Sequence, residues 1–164
     1  MSTKNYITVK GYATLRQELQ HLVSHERPHY VQLVTWAASN GDRSENADYH
    51  YGKKKLRDID QRIHQLTQKI ENAEVVEAST HVGSETIFFG ATVTLIRNQL
   101  QQQSVRIVGQ DEIDPALNFI SWTSPLAKNL LRKNLGASFY FTSPQGREHI
   151  EIIDINYEIN YEIN

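Results

Sequence analysis

The sequence predicts an α+β chain: an N-terminal antiparallel coiled-coil hairpin followed by a small antiparallel sheet domain carrying one helix. Three observations predict it. Tyr49, Gly52, Leu56, Ile59, Ile63, Leu66, Ile70 and Ala73 recur at alternating spacings of three and four, the a/d period of a coiled coil. Asn40-Gly41 supplies a helix stop a few residues before that repeat begins, so an earlier helical stretch turns back on it. From about Val75 onward the residues become β-branched and aromatic, punctuated by glycine and proline, which reads as strands.

Each element follows in order. The first helical stretch runs from about residue 11 to 40, with Leu15, Leu19 and Leu22 as its early stripe. Pro28 interrupts it, so the preceding turn is expected to bend or break. Val31, Leu33, Val34, Trp36, Ala37 and Ala38 then resume the helical pattern. In the second helix Tyr49, Leu56, Ile63 and Ile70 fall at a, and Gly52, Ile59, Leu66 and Ala73 at d. With no proline between Ala47 and Glu74, a helix of that length reaches roughly 40 Å. Strands are expected at 86–89, 91–97, 104–110, 118–122, 137–142 and 148–155, with 98–103 as a polar hairpin loop. One helix interrupts them: Ser124 as N-cap, Pro125 as its first residue, and a body over 126–133 that ends before Gly136. The expected boundaries are a hairpin over 1–76 with its tip at about 40–46, a sheet domain over 77–155, and a tail over 156–164. In that tail Ile155-Asn156-Tyr157-Glu158 recurs as Ile159-Asn160-Tyr161-Glu162. The duplication is either neutral or an added strand edge open to pairing.

Composition bounds the function. The chain has 164 residues and a formal net charge of −2, one ordinary domain or two small ones by size. It has no cysteine, which excludes a disulfide frame and thiolate metal sites. No segment approaches the ~20 apolar residues of a membrane span, so no membrane partner and a cytoplasmic location are expected. Through Glu74 there are 11 Lys and Arg against 9 Asp and Glu; beyond it, 6 against 10. Two differently employed modules follow from that asymmetry, and neither half is basic enough to bind duplex DNA by charge alone. No P-loop, nucleophile elbow or dinucleotide fingerprint is present, so no small-molecule substrate is expected. His21, His25 and His29 recur at i, i+4, i+8, but without an HExxH arrangement and with Pro28 disrupting the face they read as solvated surface.

The tip carries the chemistry. Asp42 and Glu45 sit where the two helices turn, held away from the core on an arm that can deliver charge to another molecule. Their spacing also fits a capping box, with Asp42 as N-cap and Glu45 reaching back. Ser44 competes for the cap, which would leave both carboxylates facing outward. Local pattern leaves these alternatives open. Behind the tip, Lys53, Lys54 and Arg57 cluster, while Lys55, Arg62 and Lys69 share heptad position g. Such a stripe is a solvated face, a set of interhelical ion pairs or a phosphate track; Glu18 and Glu26 are the main acidic partners on the first helix.

Gly41-Asp42-Arg43-Ser44-Glu45-Asn46-Ala47-Asp48-Tyr49, followed by Lys53-Lys54-Lys55-Leu56, closely resembles the coiled-coil tip signature of the bacterial Gre transcript-cleavage factors. Phe88-Phe89-Gly90-Ala91, Arg106-Ile107-Val108-Gly109, Asp111-Glu112-Ile113 and 120–127 look like the same family. The resemblance covers the chain up to the duplicated tail, and its wording at the tip is closer to the GreB branch than to GreA. It implies an FKBP-like sheet domain that binds bacterial RNA polymerase, with Ser121, Ser124, Pro125 and Leu126 in the polymerase-binding region. It implies a coil that enters the secondary channel, where the 3′ end of backtracked RNA is extruded. Asp42 and Glu45 would then help hold a Mg²⁺ shared with the polymerase, and Lys53, Lys54, Lys55, Arg57 and Arg62 would contact the RNA. The protein would be no enzyme itself but an accessory that completes the polymerase's active centre. Two other classes remain: a channel-occupying regulator without cleavage, against which both tip carboxylates argue, and an FKBP-type prolyl isomerase, for which fold analogy is a weak warrant.

Overall fold

A computed structural model describes residues 4–41 and 45–157 of the chain; Asp42, Arg43, Ser44 and the repeated tail from Glu158 lie outside the described residues. The chain divides into two compact units, Tyr12–Asn72 and the combination of residues up to Gly11 with those from Ala73 onward. Among the described residues no helix is long and apolar enough to cross a membrane.

The first unit is the helical hairpin. Helix α1 (Val9–His21) passes through a π-helical turn, Leu22–Glu26, into α2 (Arg27–Ala38). Pro28 therefore does not break the helix. It sits in the first turn of α2, just after a turn in which the Arg27 N–H reaches back to the Leu22 carbonyl. The widened turn absorbs the missing N–H and the bulk of the ring, which an α-helical register would drive into the carbonyl four residues back.

Helix α3 (Ala47–Glu71) returns alongside. The ties run in reverse order, Glu18 to Arg62, Arg27 to Asp60 and Ala37 to Asn46, as an antiparallel pair requires. The heptad reading holds through Ile70, while Ala73, its last d position, lies beyond the helix in a short strand. The d residues Gly52, Ile59 and Leu66 are buried, while the a residues Tyr49, Leu56, Ile63 and Ile70 are half-buried. Leu15, Leu22 and Ala37 fill the seam from the other side. Each fully buried aliphatic side chain of this kind contributes about 1.5–3 kcal/mol.

Gly52 sets how closely the helices approach near the tip. A Cβ built there would lie 2.7 Å from Val34 Cγ2. Gly52→Leu is expected to lower the melting temperature of the helical signal. Overpacking costs about 1–3 kcal/mol, more than the ~1 kcal/mol returned by removing a helical glycine. A thermal melt followed by circular dichroism checks it, and an unchanged or higher midpoint would show that the helices can part there without cost.

The second unit is a five-stranded sheet in the order β5-β4-β3-β7-β6, formed by β3 (Thr92–Arg97), β4 (Gln101–Val108), β5 (Phe119–Ser121), β6 (Ser138–Ser143) and β7 (Gly146–Asn156). Its strands pair antiparallel except β4 with β5, which run parallel. That corrects the all-antiparallel expectation: two 3₁₀ turns, Gln110–Glu112 and Pro115–Leu117, carry the chain across before β5 starts. Two further corrections concern boundaries. Strand β4 starts at Gln101 rather than 104, because Asn98 and Gln99 turn tightly at positive φ (52° and 61°) and leave the glutamines to pair with β3. Residues 86–89 form no strand. Ile87 is fully buried, yet its N–H goes to the Lys133 carbonyl and its own carbonyl accepts from Arg132 N–H. Burial produced the strand-like pattern without a ladder.

Helix α4 (Pro125–Leu130) starts as read, with Ser124 Oγ accepting from Ala127 N–H at 3.3 Å, but it ends three residues before the expected Lys133, where Arg132 turns at φ +71°. It buries Ala127 and Leu130 against Val93, Leu95, Ile107, Ile150 and Ile152. The last described residue, Tyr157, is buried in the same core, and its hydroxyl accepts from Phe88 N–H and donates to the Thr86 carbonyl.

Strands β1 (Asn5–Thr8) and β2 (Ala73–Val76) pair in parallel, Asn5 with Ala73 through Thr8 with Val76. Neither was expected. Four-residue strands from opposite ends of the hairpin segment leave no periodic signal. Thr8 is also the seat of a clasp. The Glu112 carboxylate accepts from Thr8 N–H (3.0 Å), the Thr8 hydroxyl and Gly109 N–H (2.9 Å), while Gly11 N–H donates to Thr8 Oγ1 (3.0 Å). Gly11 and Gly109 make room for it, since a Cβ on Gly11 would fall 2.3 Å from Glu112 Cδ.

Candidate functional site

The tip is built by one asparagine. Helix α3 begins after Asn46, whose Oδ1 accepts from Tyr49 N–H at 3.1 Å. Its Nδ2 donates to the Ala37 carbonyl, 2.6 Å away at the end of α2. One side chain thus satisfies an orphan donor of α3 and gives a second bond to a carbonyl at the end of α2 that also accepts from Asn40 N–H at 3.1 Å. Glu45 precedes the cap of α3 and is exposed, so it does not serve as the third residue of that helix; the capping box that its spacing from Asp42 allows falls outside the described residues. Asn46 also takes the role considered for Ser44. Asp42 and Ser44 themselves lie outside the described residues. Gly41 leaves α2 at φ +119°, a conformation open to glycine.

Behind the tip Lys53, Lys54 and Arg57 are exposed and Lys55 is half-buried. Among the described residues none of these four has a carboxylate partner. Two lie beside rings: Lys53 Nζ is 5.9 Å from the centre of Tyr49, and Lys55 Nζ 5.6 Å from that of Tyr51. The centre of the Tyr51 ring lies 6.2 Å from that of Tyr30, and the neighbouring Tyr51 hydroxyl, with a smaller contribution from burial, pushes the Tyr30 hydroxyl above the ordinary tyrosine value.

Arg62 differs from its neighbours. Its guanidinium grips Glu18 with both forks, at 2.8–3.3 Å. The pair is partly exposed and of modest worth, about 1 kcal/mol or less. Arg27 and Asp60 make a second interhelical pair at 2.8 Å, and the bond to Asp60 raises the Arg27 pKa. The stripe at position g is therefore mixed: Arg62 pairs across the seam and Lys55 does not. His21 and His25 bring their rings to 5.4 Å, and among the described residues no group of His, Asp or Glu is arranged to hold a metal.

In the sheet unit, Ser124, Pro125 and Leu126 border a concavity of about 830 Å³. Ser121 does not face it. It is buried, with its Oγ bonded to Thr123 N–H (3.1 Å) and sharing a 2.7 Å bond with Thr123 Oγ1. The opposite wall comes from Phe141 and Pro144, and Arg97 paired with Glu148 adds an ion pair to the lining. These residues carry no sequence signal, because β3, β6 and β7 bring them together only on folding.

The chain matches two family models that cover most of its length: the transcription elongation factor N-terminal domain over residues 5–75, and the GreA/GreB transcription elongation factor C-terminal domain over residues 82–157. It is 52% identical over 155 residues to transcription elongation factor GreB of Neisseria meningitidis serogroup B, covering 94% of this chain and 95% of the relative. Its identity to GreB of Pasteurella multocida is 43% over 159 residues, with 96% and 99% covered. Among solved structures it is similar to the GreA factor homolog 1 of Thermus thermophilus, at 22% identity over 94% of this chain and 99% of that one, with a TM-score of 0.43. A helical hairpin with a charged tip, joined to a curled sheet and matched by both models, defines the class as a transcription elongation factor. Within that class, the chain belongs to the GreA/GreB family.

Proposed function

We propose that this protein binds RNA polymerase, inserts its hairpin into the secondary channel and stimulates the polymerase's own cleavage of backtracked RNA, so rescuing arrested complexes in the cytoplasm. The observation that carries the reading is the cap on α3. Asn46 caps α3, so Glu45, exposed just before it, has no capping duty on that helix. A carboxylate followed along the arm by four cations that have no carboxylate partner among the described residues is suited to a site completed by another molecule.

Asp42 and Glu45 offer hard oxygen donors of the kind Mg²⁺ prefers, and two carboxylates are too few for a complete shell. That donor set fits a metal shared with the polymerase. A Mg²⁺ held there would supply charge stabilisation on the phosphodiester and help activate water. The chain's own residues do the rest: Asp42 and Glu45 orient toward the shared centre, and Lys53, Lys54, Lys55 and Arg57 hold the RNA 3′ segment by its phosphates. Arg62 lies on the same stripe and contributes the charge that its pairing with Glu18 leaves. The concavity beside Ser124, Pro125 and Leu126 is the docking surface for the polymerase, and Ser121 supports it from within. The protein acts as an accessory, with the chemistry performed by its partner.

The test is to add the purified protein and Mg²⁺ to stalled, backtracked elongation complexes and follow RNA length. Shortening is expected. Retention on the polymerase without shortening would instead identify a channel regulator. Catalysis of proline isomerisation in a peptide, with no effect on RNA, would identify an isomerase.

A further inference from the structure

One face of the hairpin near the tip is rich in rings that the seam does not use. Tyr51 is 51% exposed and Trp36 56% exposed. Tyr51 is held in place by ring packing: the Tyr51 and Tyr30 rings meet edge-on with centres 6.2 Å apart, and Tyr30 meets the His29 ring at 5.0 Å. Trp36 lies seven residues beyond His29, two turns along the same face of α2. The cations are close by, since Lys55 Nζ stands 5.6 Å from the Tyr51 ring centre. From Tyr49 to Arg57 the chain carries four cations and no carboxylate.

The helix seam needs none of these exposed faces, because Gly52, Ile59 and Leu66 fill it. A protein-docking core is depleted of lysine, whereas this face is bordered by it. Rings fixed in place beside cations match single-stranded nucleic acid, whose bases stack on aromatic faces while its phosphates meet the charges.

We propose that Tyr51, braced by Tyr30 and flanked by His29 and Trp36, is a stacking platform for unpaired bases of single-stranded RNA, with Lys54, Lys55 and Arg57 taking the adjoining phosphates. The proposal rests on the reading of the hairpin as an RNA-approaching arm and adds a grip on bases to the grip on charge. Such a platform accepts any base, because every base has a stacking face, and refuses a duplex, whose bases are already stacked.

The experiment titrates the full-length protein into a short labelled oligoribonucleotide at low salt, read by fluorescence anisotropy, beside a chain of equal length that lacks bases. Tyr51→Ala is expected to weaken RNA binding about tenfold or more, the scale of one stacked base, with the salt dependence unchanged. Tyr51→Phe is expected to keep most of the affinity. Lys54→Ala is expected to weaken RNA and the base-free chain alike and to flatten the salt slope. Tyr51 is exposed, so its variants are expected to retain the parent helical signal.

Equal binding by the parent and Tyr51→Ala overturns the proposal, as does equal binding of RNA and the base-free chain, or no RNA binding by the parent. If Tyr51→Ala instead loses retention on polymerase without RNA, with RNA affinity unchanged, the face docks protein and the proposal falls. Failure here is separable from failure of the function proposed above, because RNA shortening that depends on Glu45 would stand whatever Tyr51 does.

Discussion

Glu45→Gln and Asp42→Asn are each expected to remove stimulated RNA shortening, by on the order of 10²-fold or more, because the several kcal/mol that a metal ion supplies at a transition state is lost with its ligand. Polymerase retention and helical content are expected to stay at parent levels. The cap decides why. Asn46, not Glu45, closes α3 and ties it to the end of α2, so Glu45 can lose its charge without loosening the hairpin. Asn46→Ala is the matched control. It removes a cap worth about 1 kcal/mol and also leaves the Ala37 carbonyl without that donor. Its thermal midpoint falls, while its tip carboxylates remain. Measured side by side, the three variants separate chemistry from architecture. A Glu45→Gln protein that melts as early as Asn46→Ala, or that still shortens RNA at the parent rate, would sink the assignment.

Glu112→Ala is expected to have the largest structural effect. The carboxylate accepts from Thr8 N–H, the Thr8 hydroxyl and Gly109 N–H. Removing it strands partly buried donors, each costing about 1–3 kcal/mol. It also empties the space that Gly11 and Gly109 leave for the side chain. Hydrogen exchange reads the outcome locally. The amides of Thr8 and Gly109 and the β1–β2 ladder are expected to lose protection first, and the core amides of β3 and β7 last. Glu112→Gln keeps the shape and two acceptor sites on its oxygen, so it is expected to fall between the parent and Glu112→Ala. Parent-like protection of Thr8 in Glu112→Ala would show that the strand pair holds the N-terminus alone.

Much of the fold was legible before any coordinates, for identifiable reasons. The second helix was readable because its seam repeats over 25 residues, and α4 because Ser124 and Pro125 mark its start by local chemistry. The heptad placed Ile59 and Leu66 in the seam, where both are buried. Local chemistry misled where burial imitated a ladder, as at Ile87, and where a tight turn freed Gln101–Gln103 for pairing. Pro28 predicts a bend or a break in the preceding turn, and sequence does not reveal that this turn widens by one residue and lets the helix continue. Strands β1 and β2 escaped because each is four residues long and its partner lies across the hairpin segment.

The candidate site divides in the same way. The acidic tip and its lysines were visible as a run of residue types close in sequence, and so was their likeness to a known family. Which residue caps the second helix was not, since Ser44 and the Asp42/Glu45 pair offered competing caps and α3 instead uses Asn46, whose side chain the antiparallel return brings within 2.6 Å of the Ala37 carbonyl. Likewise Arg62 and Lys55 occupy equivalent heptad positions, and only the opposite helix, with Glu18 at Arg62 and Tyr30 against Tyr51, made one an ion pair and the other the edge of an aromatic face. By itself the sequence determined periodic elements, the charged tip and the family, because these are properties of neighbours along the chain. The tertiary structure decided the cap, the Glu112 clasp, the concave wall and the exposed rings, because each depends on groups distant in sequence meeting at hydrogen-bond or van der Waals range.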